Sequence, residues 1–218
     1  MSKKIFVFIF YIFIFSGCFY SSNYTIFQDN KTGKYGIKDK NIVVLKPSYN
    51  YISQIDSLEN KEYFIFEKEN RYGIVDINGK ILLPDIFNEI KEFYNGVAVV
   101  KEKDKFGFIN KNLQLIQKPI FLEARDFIFD ISFVKSSANN KFACIDKNMN
   151  LLSDFIYDEV FSFDEDYARV KKDNKWGIIN KTCKEVITSE YDYISEFIDD
   201  VFTLIKNNHT IFKNKSEL

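Results

Sequence analysis

Residues 175–180 have the sequence KWGIIN, and four related phrases of six residues precede it. In chain order these phrases are KYGIKD (34–39), RYGIVD (71–76), KFGFIN (105–110) and KFACID (141–146). Each phrase places a cation before an aromatic residue, which we call the marker residue. The five markers are Tyr35, Tyr72, Phe106, Phe142 and Trp176. Successive markers are 34 to 37 residues apart, which indicates an internal repeat.

A small residue follows every marker. It is Ala143 in the fourth copy and glycine in the others: Gly36, Gly73, Gly107 and Gly177. We expect these glycines to allow a second backbone segment to approach closely beside a large ring. Alanine in the fourth copy indicates that a positive φ angle is not required at this position.

A second set of related phrases, the second landmark, recurs at an almost constant distance from the marker residues. The phrases YNYI, FNEI, FLEA, YDEV and YDYI begin 14 or 15 residues after each marker. Their first residues are Tyr49, Phe87, Phe121, Tyr157 and Tyr191. A further apolar residue follows each phrase, at Ile55, Phe93, Phe127, Phe163 and Phe197. The agreement of three landmarks supports five copies of one unit.

Each unit has the pattern of strand, turn, strand, helical turn and strand. Apolar residues alternate in the marker phrase, as expected of a strand. Asn78-Gly79 predicts a turn, and Pro84 ends the next strand because proline cannot donate to a β-ladder. Ile90 and Phe93 are three residues apart, the spacing of one helical turn.

The predicted fold is mainly β, with tandem antiparallel repeats of about 36 residues stacked as an open curved array. The alternative is a closed propeller-like ring, since closure hides edge strands. Units of this length are short for four-stranded blades, which favours the open array. The repeat domain spans residues 24–212 with a half unit at each end, and residues 213–218 are expected to be frayed.

The N-terminus has the pattern of an export signal. Lys3 and Lys4 precede an apolar run from Ile5 to Phe15, which is too short to span a bilayer. The following Ser16-Gly17-Cys18 resembles a bacterial lipobox. We therefore predict a lipoprotein signal at 1–17, acylation of Cys18 and a short linker at 18–23. An ordinary cleaved signal and an uncleaved anchor are the alternatives.

The net charge limits the classes of partner, and the positions of the cysteines bear on whether a disulfide is expected. The formal net charge is −1, so no basic excess exists to bind nucleic acid. Cys144 occupies an alternating apolar position, whereas Cys183 falls at a turn. This mismatch argues against a disulfide between them, and neither cysteine has a metal-binding spacing.

The repeats resemble the WG-repeat family, named for a Trp-Gly pair that is present here at Trp176-Gly177. Four of the five tryptophan positions hold Tyr or Phe instead. The resemblance covers roughly residues 24–212. It implies a β-rich repeat array, often on exported or envelope-associated proteins, with a binding role and no enzyme activity.

Few residues suggest chemistry. His209 is the only histidine and lies in a terminal hairpin bend. The acidic stretches 164–166 and 199–200 occupy equivalent turns, so a solvated turn is favoured over a weak cation site or catalysis. Tyr51, Tyr63 and Tyr193 are candidates for exposed rings that stack on sugars or contact a protein. No catalytic residue, metal site or cofactor is predicted.

These observations predict a non-enzymatic protein, lipid-anchored in the bacterial cell envelope, that presents a binding surface. The partner would be another envelope protein or a cell-wall or surface glycan. One alternative is a glycan hydrolase that uses two carboxylates from different repeats. Another is a structural surface spacer without a fixed ligand.

Overall fold

The computed structural model describes residues 24–55 and 63–218. The predicted signal at 1–17, the acylation site Cys18 and the linker at 18–23 lie outside these residues. Within the described ranges, no helix is long and apolar enough to cross a membrane.

The described chain forms six antiparallel sheets, numbered here in chain order. Sheet 1 contains β1 (Tyr24–Gln28), β2 (Tyr35–Asp39) and β3 (Ile42–Tyr49). Sheet 2 contains β4 (Tyr51–Gln54), β5 (Tyr63–Lys68), β6 (Arg71–Asp76) and β7 (Ile81–Phe87). The prediction that Pro84 ends its strand was wrong, because β7 is an edge strand and continues through Pro84. Sheet 3 contains β8 (Glu89–Tyr94), β9 (Val97–Glu102), β10 (Lys105–Asn110) and β11 (Leu115–Phe121).

The remaining sheets continue this order. Sheet 4 contains β12 (Glu123–Ala124), β13 (Ile131–Lys135) and β14 (Phe142–Asp146). Sheet 5 contains β15 (Glu159–Val160), β16 (Tyr167–Lys172), β17 (Lys175–Asn180) and β18 (Glu185–Tyr191). Sheet 6 contains β19 (Tyr193–Ile194), β20 (Val201–Lys206) and β21 (His209–Asn214), followed by a 3-10 turn, Lys215–Glu217.

The hydrophobic core consists of five clusters, one between each pair of successive sheets. Each cluster combines apolar side chains from both sheets, because a single small sheet leaves its apolar faces in water. Each marker residue packs in a different cluster. The predicted mainly β fold with tandem repeats in an open array is therefore confirmed.

The expectation about strand number was wrong. Three sheets have four strands, although each unit is only about 36 residues long. Strands of two to eight residues joined by tight turns make this possible. No hydrophobic cluster of the described residues joins sheet 6 to sheet 1, which agrees with an open array and not with a closed ring.

The two end sheets differ on their outward faces. In sheet 2, Phe64 and Val75 are cross-strand partners and pack towards sheet 1. The corresponding pair in sheet 1 is Thr25 and Lys38, with no described sheet beyond it. Thr25 and Lys38 thus replace the apolar pair on the first face, beside Val43, which is the cross-strand partner of Lys38 and is 46% exposed. The outward face of sheet 6 instead carries Phe212, which is 70% exposed.

The predicted helical turn is a strand with a bulge. Ile90 pairs with Val100 and Phe93 pairs with Ala98, so β8 has one residue more than its partner between these pairs. A bulge also places residues i and i+3 on one face. Both side chains are buried in the cluster between sheets 2 and 3. The spacing was therefore identified correctly, but its cause was not.

The prediction that Cys144 and Cys183 are unpaired was wrong. Their sulfur atoms are 2.02 Å apart and form a disulfide with a sequence separation of 39. Cys144 lies in β14 of sheet 4, whereas Cys183 lies in the turn before β18 of sheet 5. The stacking of the sheets places this turn against the neighbouring strand, and both residues are buried in one cluster.

The C-terminal residues 213–218, expected to be frayed, are part of the fold. The strand β21 extends to Asn214, and the side chain of Asn214 accepts a hydrogen bond from the Ser216 amide. The amide of Lys215 donates to the carbonyl of Asp200 at 2.8 Å.

Candidate functional site

The glycine after the marker lies against the backbone of the next strand. A Cβ atom at Gly36 would be 2.5 Å from the carbonyl oxygen of Leu45, and one at Gly73 would be 2.6 Å from that of Leu83. Neither glycine has a positive φ. Close approach is thus the reason for glycine. In sheet 4, the segment that corresponds to β7 and β11 pairs with β14 through isolated bridges, which leaves room for the methyl group of Ala143.

The cation before the marker contacts the second landmark phrase. Lys141 forms an ion pair with Asp158 at 2.5 Å, and Lys175 forms one with Asp192 at 2.5 Å. The hydrogen bond from Lys141 lowers the pKa of the Asp158 carboxyl. The same carboxylate accepts a hydrogen bond from the Asp173 amide in the next sheet. These two landmarks therefore recur together because they join successive repeats.

The last residue of the marker phrase organises the following turn. Asp76 Oδ1 accepts hydrogen bonds from the amides of Asn78 and Lys80, both at 2.9 Å. Asn180 Oδ1 makes the equivalent bonds to the amides of Thr182 and Lys184. An Asp or Asn side chain is suited to this local role. This part of the phrase is structural, and its purpose was not identified from the sequence.

The marker Trp176 lies in an aromatic and cationic stack. Its ring stacks on Phe161 at 5.1 Å and meets Tyr193 edge-on at 5.9 Å. The Arg169 guanidinium lies 4.8 Å from the Phe161 ring and donates to Glu196 at 2.8 Å. The stack is half-buried between sheets 5 and 6, and its cation already has partners.

The aromatic candidates differ in exposure. Tyr51 is 46% exposed and Tyr193 is 45% exposed, whereas Tyr63 is half-buried against the cluster between sheets 2 and 3. His209 is exposed in the bend at the start of β21, where its Nδ1 lies 2.9 Å from the Asn207 carbonyl oxygen.

The two acidic turns come together, as their equivalent positions imply. Asp164, Glu165, Asp199 and Asp200 line a shallow pocket of about 260 Å³ with Lys215. The Lys215 ammonium forms an ion pair with Glu165 inside this pocket. No group of three or more potential metal ligands is present among the described residues. The acidic pocket therefore holds a cation supplied by the chain itself.

A second groove spans three successive sheets. It has a volume of about 310 Å³ and is lined by Lys91 of sheet 3, by the segment around sheet 4 and by Ser162 and Phe163 of the next repeat. Phe133 and Phe163 stack at 5.8 Å with almost parallel rings and form one wall. The size is at the lower end of small-ligand sites.

The charged groups in this groove lack ion-pair partners among the described residues. Asp126 Oδ1 is buried and accepts no hydrogen bond from the described residues. The Arg125 guanidinium lies 5.5 Å from the Phe142 ring, and burial lowers its pKa. Neither Arg125 nor Lys91 forms an ion pair with a described residue. Unpaired buried polar groups are costly, so a polar ligand would be favoured here.

Sequence reasoning missed this groove. Arg125 and Asp126 follow the third landmark phrase, where other copies have Ser, Lys or Phe and then Gln, Glu or Ser. The second copy has a similar pair, Lys91 and Glu92, so these positions carried no distinct signal. The groove depends on the positions of neighbouring sheets, which one segment of sequence does not contain.

Comparison with solved structures found only distant likenesses. Hsv2 from Kluyveromyces lactis is 13% identical over 84% of this chain and 74% of that chain, with a TM-score of 0.40. PorZ, a surface component of the type-IX secretion system of Porphyromonas gingivalis, is 7% identical over 88% of this chain and 31% of that chain, with a TM-score of 0.33. These likenesses are too distant to assign a function. No curated protein matches the sequence.

A family model agrees with part of the array. The model described as "WG containing repeat" matches residues 72–106, 142–176 and 176–208. All three matches begin at a marker residue, namely Tyr72, Phe142 and Trp176. The copies that begin at Tyr35 and Phe106 lie outside the matched stretches. The chain thus contains WG-type repeats at three positions.

Proposed function

We propose that this chain is an exported, lipid-anchored, non-enzymatic repeat protein that binds an acidic glycan of the bacterial cell envelope. The lipid anchor is Cys18, and the binding site is the groove between sheets 3, 4 and 5. One observation carries the binding site: Asp126 Oδ1 is buried in the groove without a hydrogen-bond donor. A sugar hydroxyl would supply that donor.

The rest of the lining supports a charged sugar. Lys91 and Arg125 contribute two positive charges without ion-pair partners in the described chain, and Asp126 contributes one negative charge. A carboxylate or phosphate group on a glycan would pair with the cations. The apolar wall of Phe133 and Phe163 offers a surface against which a sugar ring can pack.

A binding role is favoured over hydrolysis by the state of the acidic turns. Asp166 accepts hydrogen bonds from Lys181, which lower the pKa of its carboxyl. A carboxyl held ionised is unsuited to donate a proton to a leaving group. Glu165 is engaged by Lys215. We infer that these acids stabilise the turns and do not act on a substrate.

A protein partner is the second candidate. The edge strands β7 and β11 expose four aliphatic side chains: Ile81, Ile86, Leu115 and Ile120, each between 44% and 52% exposed. Strands with unpaired edges and apolar side chains are suited to pairing with another chain. This edge is separate from the groove, so the two candidates respond to different substitutions.

The test is glycan binding by the unacylated chain from residue 18 with Cys18→Ser, measured by calorimetry against acidic envelope polysaccharide fragments. We expect Asp126→Ala to weaken binding about 10-fold to 100-fold, because the sugar hydroxyl then loses its hydrogen-bond acceptor. The matched control is Glu92→Ala, at the equivalent position of sheet 3. Unchanged affinity in Asp126→Ala would exclude the groove. Binding to envelope protein but to no glycan would favour the edge-strand candidate.

A further inference from the structure

Sheet 1 differs in charge from the rest of the chain. Residues 24–49 contain five lysines and two aspartates, a net charge of +3. Residues 50–218 contain 23 Lys and Arg against 29 Asp and Glu, a net charge of −6. In the described chain, Lys31, Lys40 and Lys46 are exposed and lack ion pairs. All ion pairs among the described residues involve Glu123 or later positions. The charges of these three lysines are therefore available to an outside partner, whereas Lys38 lies over the Phe27 ring at 4.3 Å.

The positive charge lies beside exposed aliphatic side chains. The turn between β2 and β3 carries Lys40, and β3 then exposes Ile42 (71%), Val43 (46%) and Val44 (37%). Lys38 is the cross-strand partner of Val43. We call these five residues, Lys38, Lys40, Ile42, Val43 and Val44, the basic rim. A surface that rests on anionic lipid needs positive charge to attract the headgroups and apolar side chains to enter the interfacial region. Lysines that flank exposed aliphatics supply both.

The chain enters the fold at this same rim. The first residue of β1, Tyr24, pairs with Asp39, and Asp39 pairs in turn with Ile42. Five residues, 19–23, separate Tyr24 from Cys18, so an extended linker reaches at most about 20 Å. An acyl chain on Cys18 would thus keep sheet 1 within reach of the bilayer.

We propose that the basic rim rests on the anionic headgroups of the membrane that carries the anchor. Ile42 and Val43 enter the interfacial region, while Lys38 and Lys40 contact the headgroups. The bilayer surface is then a second partner of the fold, distinct from the ligand of the groove. This inference rests on the lipid anchor of the proposed function.

The opposite end of the array supports the same orientation. The turns that precede β16 in sheet 5 and β20 in sheet 6 carry Asp164, Glu165, Asp199 and Asp200, with Lys215 among them. An anionic surface repels this end and attracts sheet 1. The array would therefore stand away from the bilayer at its C-terminal end, with the groove between sheets 3 and 5 held above the headgroups.

The experiment places a fluorescent label on the full chain, acylated and reconstituted in vesicles of phosphatidylglycerol and phosphatidylcholine. Ile42→Cys carries the label at the rim. The matched control is Ile198→Cys, in sheet 6, because Ile198 is 68% exposed and Ile42 is 71% exposed. Cys144 and Cys183 are held in the disulfide and do not compete for the label. The measurement is quenching by a nitroxide attached to the lipid headgroup region.

We expect strong quenching at position 42 and little at position 198. The double variant Lys38→Gln with Lys40→Gln should reduce the quenching at 42, as should vesicles of phosphatidylcholine alone. Equal quenching at both positions in a membrane-bound chain would overturn the inference and leave the anchor intact.

A chain that fails to fractionate with membranes would instead overturn the anchor. The unacylated Cys18→Ser chain from residue 18 then tests the rim alone, by cosedimentation with phosphatidylglycerol vesicles. Each neutralised lysine should lower its partition about fivefold. Partition that does not change with either lysine would overturn the rim as well.

Discussion

The junction between sheets 4 and 5 and the junction between sheets 1 and 2 are built from the same repeat but held together differently. The former contains a disulfide, an ion pair between Lys141 and Asp158, and the buried Tyr157. At the latter, Lys34 contacts the neutral amide of Asn50 instead, and no ion pair forms in this part of the described chain. The repeated phrase therefore sets the geometry of every junction, while individual residues set its strength.

The disulfide should account for the largest part of this difference. It closes a loop with a separation of 39 residues, for which chain entropy gives about 4 kcal/mol of stabilisation. Reduction of the Cys18→Ser chain should lower its free energy of unfolding by that amount. The emission of Trp176, the single tryptophan, reports denaturant unfolding beside this junction. The variant Cys144→Ala with Cys183→Ala is the control, and reductant should not change it. An unchanged midpoint on reduction of the parent would contradict the prediction.

The residue after the marker should show the next largest effect. Gly36→Ala places a Cβ atom against the carbonyl oxygen of Leu45 and should cost about 1–3 kcal/mol through overpacking. Ala143→Gly should cost about 0.5–1 kcal/mol, because glycine loses more backbone freedom on folding. Thermal or urea unfolding measures both. A Gly36→Ala chain as stable as the parent would show that close approach does not explain the glycine.

At alkaline pH, the loss of stability should differ between the two junctions, but by less than in the previous predictions. Burial, with Glu185 nearby, raises the pKa of Tyr157 to about 12, and burial also raises the pKa of Tyr49 in the first junction. An unfolded tyrosine loses its proton near pH 10. Stability is therefore complete below pH 10 and falls as the pH rises towards 12. Tyr157→Phe should flatten this decline more than Tyr49→Phe does. Identical pH profiles in both variants would count against this comparison.

The ion pair should give the smallest effect. Its hydrogen bond lowers the pKa of Asp158, so its contribution is present above the unfolded pKa near 3.8 and is lost as the pH falls through the lower folded value. Asp158→Asn should therefore reduce stability at neutral pH, and salt should diminish the difference because the pair is exposed. The reverse change, Asn50→Asp beside Lys34, should add a small stabilisation to the first junction. A loss in Asp158→Asn that persists at pH 2 would refute the ion-pair account.

The sequence predicted the features that depend on local periodicity. Alternation in the marker phrase gave the strands, and the spacing of the landmarks gave the unit. The helical turn at Ile90 and Phe93 was wrong because a bulge and a helical turn produce the same spacing of three. Such an ambiguity is settled by the partner strand, which a single segment of sequence does not contain.

The features that depend on stacking were not predictable. Cys144 and Cys183 occupy different positions of different repeats, so only the placement of sheet 5 on sheet 4 brings them together. The groove formed by Arg125, Asp126 and Ser162 likewise requires the relative position of neighbouring sheets. The repeated residues determine the fold of each unit. Residues that are not repeated, such as the two cysteines, determine the bonds and sites that form between units.

The unlike outer faces of the array have a consequence for self-association. Lys38 on the first face opposes apolar contact with another molecule, whereas Phe212 on the last face permits it. Head-to-tail addition would need both faces, and it is the only end-to-end contact that builds a filament. Two molecules that meet through their last sheets instead form a pair and stop. We therefore expect end-to-end contact between molecules at high local density to give pairs and not filaments.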